Sequence, residues 1–317
     1  MDNSTSAAAA RAKKKKHVIK LLISAVRGLF LIGICFTVLY PIFSKLCYSF
    51  MDISDVFNPN ITYLPDKFTL KNYRAAISIL NYLPTFLNTF TVSITTAVIQ
   101  LATSLFVAYG LARFKFKGNK FLFFSVIFVM VIPPDLLLLP RYFQFRFFDF
   151  CGIIKAVSGH TVSLVDTFVP FWLLGLTCTG LKNGLYIFIL RQHFLGLPKA
   201  LEEAAEVDGA GPFRTFFQIV LPGSVNTAIT VFMFSFVWQW NDSVYTPVFF
   251  NNTRVFSNSI SLIQQKAHVA LEVLNMSLAS SLVGAAGLIL VLLPVLLLYA
   301  VAQKYFTQSI VTSGITG

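Results

Sequence analysis

Long apolar runs alternate with short polar ones along the whole chain. A helix needs about 20 mostly apolar residues to cross a hydrocarbon layer of ~30 Å. Runs near that length lie at about 26–50, 87–111, 121–139, 162–190, 225–240 and 278–302. The pattern predicts an all-α, polytopic membrane protein with six transmembrane helices. Two runs carry internal structure. Gly175, Gly180, Lys182, Asn183 and Gly184 interrupt the fourth. A helix broken at membrane depth requires protein or a water-filled cavity to receive the freed backbone groups. A permeation pathway and a simple kink or short outer loop both satisfy that condition. The sixth run holds Ser280, Ser281 and Gly284-Ala-Ala-Gly287, small residues that permit close helix approach within a bundle or between subunits. Neither a fixed-period repeat nor an inverted repeat is evident.

Composition sharpens the membrane reading. Of 317 residues, 56% are hydrophobic and 12% charged, against about a quarter charged in ordinary soluble domains. A soluble exterior cannot be built from so few polar groups. The net charge of +12 raises nucleic acid and anionic lipid as partners, and its location excludes the first. Arg11, Lys13, Lys14, Lys15, Lys16, Lys20 and Arg27 crowd ahead of the first apolar run, with no polar domain to present them to a nucleic acid. Such a cluster is retained in the cytoplasm, so residues 1–25 read as a basic cytoplasmic tail and 26–317 as the membrane domain. The stretch 29–43 lacks a following small-x-small cleavage site and reads as a retained span.

The loops agree with that orientation. Arg113, Lys115, Lys117 and Lys120, with no acid among them, follow the second run on the cytoplasmic side. Loop 51–84 mixes Asp52, Asp55 and Asp66 with Lys67, Lys71 and Arg74 outside; Arg141, Arg146 and Lys155 in the next outer stretch weaken the asymmetry without reversing it. An even number of spans places both termini inside. Cys35, Cys47, Cys151 and Cys178 have no paired spacing and read as small buried hydrophobes. His17, His160, His193 and His268 are scattered, without metal-ligand spacing. No metal, cofactor or catalytic residue is therefore expected. Trp238, Trp240 and Tyr245 read as an interfacial aromatic belt, and Asp166 as exposed at the outer interface.

The most polar internal cytoplasmic stretch is 197–222. Pro198 suits a first helical turn, and Glu202 and Glu203 complement the positive end of that helix. Gly209 fits a left-handed helix end, Gly211-Pro212 punctuates again, and a second short helix runs from near Phe213 to Leu221-Pro222. The first helix carries Glu202, Glu203 and Glu206, followed by Asp208, against one Lys199. Helices that lie on membranes show Lys or Arg on the polar face, so this one suits a protein partner. Its small residues admit a close approach, and Glu203 offers a charge to an Arg or Lys.

Glu203-Ala204-Ala205, three residues, Gly209, nine residues, then Ile219, Leu221 and Pro222 resembles the EAA loop of the membrane subunits of ATP-binding-cassette importers. Ala108-Tyr-Gly-Leu-Ala-Arg113, Ile187-Phe-Ile-Leu-Arg191-Gln-His193-Phe194, Trp240-Asn241-Asp242 with Pro247, and the tail from Tyr305 to Gly317 resemble the carbohydrate permeases of the maltose kind. The likeness covers roughly 88–317. Three features depart from it: a longer fourth span, His193 where Phe is usual, and Val207-Asp-Gly where Ile-Asp-Gly is usual. The resemblance implies the type I importer permease fold and a coupling role for Glu203, Ala204, Ala205, Gly209, Ile219, Leu221 and Pro222. It also implies a second permease, ATPase subunits, an extracellular solute-binding protein and a sugar in transit. The chain has no G-x-x-x-x-G-K-[ST] phosphate loop, so hydrolysis of ATP belongs to another subunit. A self-contained secondary carrier is the alternative, although the spans hold no Asp, Glu or His relay.

Overall fold

The computed structural model describes residues 3–56, 58 and 64–314, with side chains between Ile19 and Lys304. The aromatic pair Tyr305-Phe306, the basic cluster of residues 11–16 and the final turn of the tail thus lie outside the described side chains. Helices α1 (Asn3–Phe50), α2 (Lys71–Leu80), α3 (Tyr82–Arg113), α4 (Asn119–Val131) and α5 (Leu138–Arg146) form the first half. The second half comprises α6 (Val169–Leu176), α7 (Asn183–Gly196), α8 (Ala200–Val207), α9 (Pro212–Gly223), α10 (Val225–Trp240), α11 (Ser261–Ala270) and α12 (Met276–Gly314). The described residues form no strand beyond two isolated bridges. The all-α reading stands.

The six-span count does not carry over directly. Among the described residues, three helical segments are long and apolar enough to cross a bilayer: Ile19–Phe50, Tyr82–Arg113 and Met276–Lys304. Two bent pairs raise the number to at most five. The predicted third span, 121–139, ends as a helix at Val131 and turns through 98°. Pro133 and Pro134 sit at that turn; neither supplies an N–H, and both disfavour helix in the residue before them. The predicted fourth span, 162–190, divides into α6 and α7 around residues 177–182. The fifth matches α10, and the sixth lies inside α12.

The hub is α3, which packs against α6, α7 and α10. Its inward face carries a buried row: Thr85, Thr89, Ser93, Thr96, Gln100 and Ser104. Steps of three or four residues keep them on one side of the helix. Helix α12 packs on α1, α2, α10 and α11. A methyl group on Gly287 would meet Ile263 Cδ1 at 2.5 Å, so this small residue serves packing inside the chain. Two sequence expectations are corrected here. Trp240 and Tyr245 are buried, at 3% and 2% exposure, and only Trp238 faces outward; the indole stacks on Phe236 and packs tilted against Phe256, and the phenol stacks on Phe249. Of the cysteines, Cys47 is buried and Cys178 half-buried, but Cys35 and Cys151 are exposed.

The break between α6 and α7 is filled with protein. Arg141 on α5 donates to the Thr179 carbonyl (2.6 Å) and to the Tyr245 hydroxyl (2.7 Å). Thr103 Oγ1 donates to the Gly175 carbonyl at 3.0 Å, and Asn183 Nδ2 to Ser104 Oγ at 3.1 Å. Gln100 accepts from Ser235. The glycines explain themselves by contact. A Cβ on Gly180 would overlap the Gln100 amide, and one on Gly184 would stand 2.8 Å from the Val126 carbonyl oxygen. Of the two readings open for this interruption, these contacts favour the packed kink.

Asp166 is likewise more than an exposed carboxylate. Its backbone is left-handed (φ 66°), and Oδ1 accepts from the N–H groups of Asn251, Asn252 and Thr253 at 2.6–3.3 Å. Burial pushes its carboxyl up, but these N–H donors outweigh that and hold it below the usual carboxylate range. Asp242 does similar work after α10. Both its oxygens accept backbone N–H groups of Val244, Tyr245 and Thr246 at 2.8–3.1 Å, fixing the short turn Thr246–Phe249.

Candidate functional site

The stretch 197–223 folds as two short helices that leave the bundle and return. Leu197 is extended (ψ 139°), as the residue before Pro198 must be. Helix α8 then begins, with Glu202 and Glu203 in its first turn. It ends as expected: Gly209 takes φ +76°, and its N–H and that of Ala210 return to the Glu206 and Ala205 carbonyls at 3.0 and 2.8 Å. Gly211 is extended and Pro212 opens α9. Residues 216–220 of α9 widen into a π turn, which sets Phe216 and Val220 both inward. At Ser224 the chain bends by 80° into α10.

The segment has two faces. Ala205 is buried and seats α8; Glu203, Ala204 and Gly209 are exposed. In α9, Ile219 and Leu221 are half-buried and Pro222 is exposed. Four large apolar side chains also point away from the protein: Leu201, Val207, Phe213 and Phe217, with Val207 at 88% exposure and Phe213 at 75%. Apolar side chains and acids are thus exposed along the same segment. An open cleft of 1030 Å³ lies beside α8, between the turn 111–121 and Lys199, Glu202, Glu203 and Glu206.

One residue outside the expected coupling set, Arg113, holds this segment in place, while Arg191 ties α7 to α3 and α4 beside it. Arg113, the last residue of α3, brings Nε to 2.7 Å from Glu202 Oε1 with its side chain 5% exposed. Its Nη2 donates to the Leu197 carbonyl at 2.9 Å. Arg191 Nε donates to the Leu111 carbonyl at 3.3 Å and its guanidinium lies 3.8 Å over the Phe123 ring. Beside them Tyr109 meets the Phe194 and Phe216 rings, and Phe106 meets Phe216 and Phe217. Neighbouring glutamates therefore divide: Glu202 turns inward to Arg113 and Glu203 outward.

Residues 100–312, more than half of the chain, match the family described as binding-protein-dependent transport system inner membrane component. The chain belongs to that family. It is 28% identical to a probable ABC transporter permease of Bacillus subtilis, YurM, over 91% of this chain and 86% of that one. It is 34% identical to the alpha-glucoside transport system permease AglG of Rhizobium meliloti, a match spanning 58% of this chain and 46% of that protein. It is 27% identical to AmyC of Thermoanaerobacterium thermosulfurigenes, a probable permease for starch degradation products, over 95% and 99% of the two chains. A solved structure shares the fold with a TM-score of 0.64 at 20% identity, covering 90% of this chain and 96% of that one. It belongs to a bacterial ABC transporter involved in import of the acidic polysaccharide alginate. The chain is thus a membrane component of a binding-protein-dependent transporter. The family implies an ATPase and a solute-binding protein as its partners.

Proposed function

We propose that this protein is one permease half of a bacterial ATP-driven importer of sugars or oligosaccharides. It forms half of the pathway with a second, related permease, and residues 203–222 dock an ATPase subunit. The observation that carries this is the outward face of that segment. Glu203, Ala204 and Gly209 are exposed, as are Val207, Phe213 and Phe217 of the same segment, in a chain that belongs to a binding-protein-dependent family. Closure of an ATPase dimer would press on this face and rock the helices between two arrangements, a rigid-body switch driven by a partner's differential contacts. The saccharide cargo is supported by relatives named for alpha-glucosides and starch degradation products. The basic turn 113–120 supports a cytoplasmic location for this end, and six crossings follow if α1, α3, α4 with α5, α6 with α7, α10 and α12 make one each.

The test is uptake of labelled alpha-glucosides and maltodextrins into proteoliposomes holding this chain, the sister permease and the binding protein, with and without the ATPase. Accumulation that requires the ATPase and ATP is expected. Uptake driven by an ion gradient without an ATPase would establish the secondary-carrier alternative instead. ATP-dependent uptake of other solutes, but of no saccharide, would overturn the cargo alone.

A further inference from the structure

The segment 197–223 is tied poorly along the chain and firmly across it. Upstream, Leu197 is extended and Pro198 interrupts the run from α7 into α8. Downstream, the π turn at 216–220 and the 80° bend at Ser224 separate α9 from α10. The helical run is thus interrupted at Leu197-Pro198 and sharply bent at Ser224, on either side of the segment. Sideways the picture reverses. The Arg113 guanidinium joins Glu202 of α8 and the carbonyl of Leu197 at once, and the aromatic cluster of Tyr109, Phe106 and Phe216 grips α9. Both grips end on α3, the helix that packs on α6, α7 and α10.

We propose that Arg113 is a positioning residue for energy coupling: by clamping Glu202 and Leu197 to the foot of α3, it delivers movement of the docking segment to the hub helix. This rests on the reading of residues 203–222 as the ATPase-docking segment. The pair is a close ion contact at the edge of the cleft, with both side chains mostly buried, unlike a freely exposed surface pair. Arg suits the position because its planar fork can hold two acceptors at fixed angles, which a lysine ammonium cannot do. Glu203, one residue on, stays free for the motor. The neighbouring positions thus divide the labour, one receiving the partner and one passing its movement inward.

The experiment uses the assembled transporter in proteoliposomes, with ATP as the probe and the cognate binding protein as isolated from cells. Arg113→Met, Glu202→Met, the double variant and Arg113→Lys are compared for retained ATPase, thermal unfolding, basal hydrolysis, and hydrolysis stimulated by the binding protein. Each single Met variant is expected to keep the ATPase subunit in the complex but to lose about ten-fold of the ratio of stimulated to basal hydrolysis. The double variant is expected to lose no more than the worse single, as for two groups acting as one unit. Arg113→Lys, which keeps the charge and one contact, is expected to recover part of the stimulation; it also remains informative if a Met variant fails to fold. Wild-type stimulation in either single variant, or losses that multiply in the double, would overturn the proposal. A wild-type complex that retains no ATPase would overturn the docking reading beneath it, a result distinct from these.

Discussion

Two places in this molecule break an otherwise apolar helical sequence, and they are finished in opposite ways. At residues 177–182, between α6 and α7, side chains from other helices reach in to pair backbone groups of the break. Arg141 reaches the Thr179 carbonyl, Thr103 the Gly175 carbonyl, and Gly180 and Gly184 admit neighbours where no Cβ would fit. At residues 208–211, between α8 and α9, Gly209 and Gly211 have open space around their α-carbons. The glycines in the first break serve packing, and Gly209 in the second serves backbone conformation alone. On the proposed topology the first break lies within the membrane, where unmet backbone groups cannot turn to water, and the second lies outside it, where a break can stay uncovered.

The comparison can be broken by substitution, beginning where the largest effect is expected. Gly184→Val places its side chain against the backbone carbonyl of Val126. Backbone on a packed helix yields less than a side chain, so a loss of about 3 kcal/mol is expected, at the upper end for overpacking. Thermal unfolding in detergent would show it as a lowered midpoint with little folded protein recovered; a variant as stable as wild type would mean that the break is loosely packed. Arg141→Met comes next. It removes the donors to Thr179 and Tyr245 while keeping an apolar stem, and should cost about 2 kcal/mol as the loss of charged hydrogen bonds. An unchanged midpoint there would show that the Thr179 carbonyl finds another partner.

The difference between the two breaks also explains what the sequence disclosed. The open one was legible almost in full. Gly209 at a helix end, Pro212 at a helix start and the acids of α8 act through local backbone chemistry, which neighbouring residues determine. The sealed one was visible only as an interruption. Its partners Arg141, Gln100 and Tyr245 come from three other parts of the chain, and no local pattern assigns them. Trp240 read as an interfacial anchor for the same reason; its burial depends on Phe86, Phe236 and Phe256 packing around it. The turn at Pro133-Pro134 was different. Its signal was present in two adjacent prolines, but apolar composition across 121–139 outweighed them. The Arg113–Glu202 pair had no signal at all, because a cation ending one helix and an acid opening another are each explained locally by charge rules.

Gly209→Val has the smallest expected effect on stability and separates the two breaks most clearly. Open space around the α-carbon removes the steric argument, leaving the cost of a β-branched residue at φ +76°, about 1–2 kcal/mol. That strain can be relieved locally by unwinding the last turn of α8, since nothing is packed on it. The protein should therefore fold, with a midpoint shifted by a few degrees at most. Relief of the strain, however, would reorient α9 relative to α8 and misalign Glu203 with Phe213 and Phe217 of the proposed docking segment. Hydrolysis uncoupled from uptake is the expected result in the assembled transporter. Normal uptake per ATP with an intact complex would show that the turn at Gly209 does not set the docking geometry. A collapse in folded yield would show that this break, too, is sealed, against a surface still to be located.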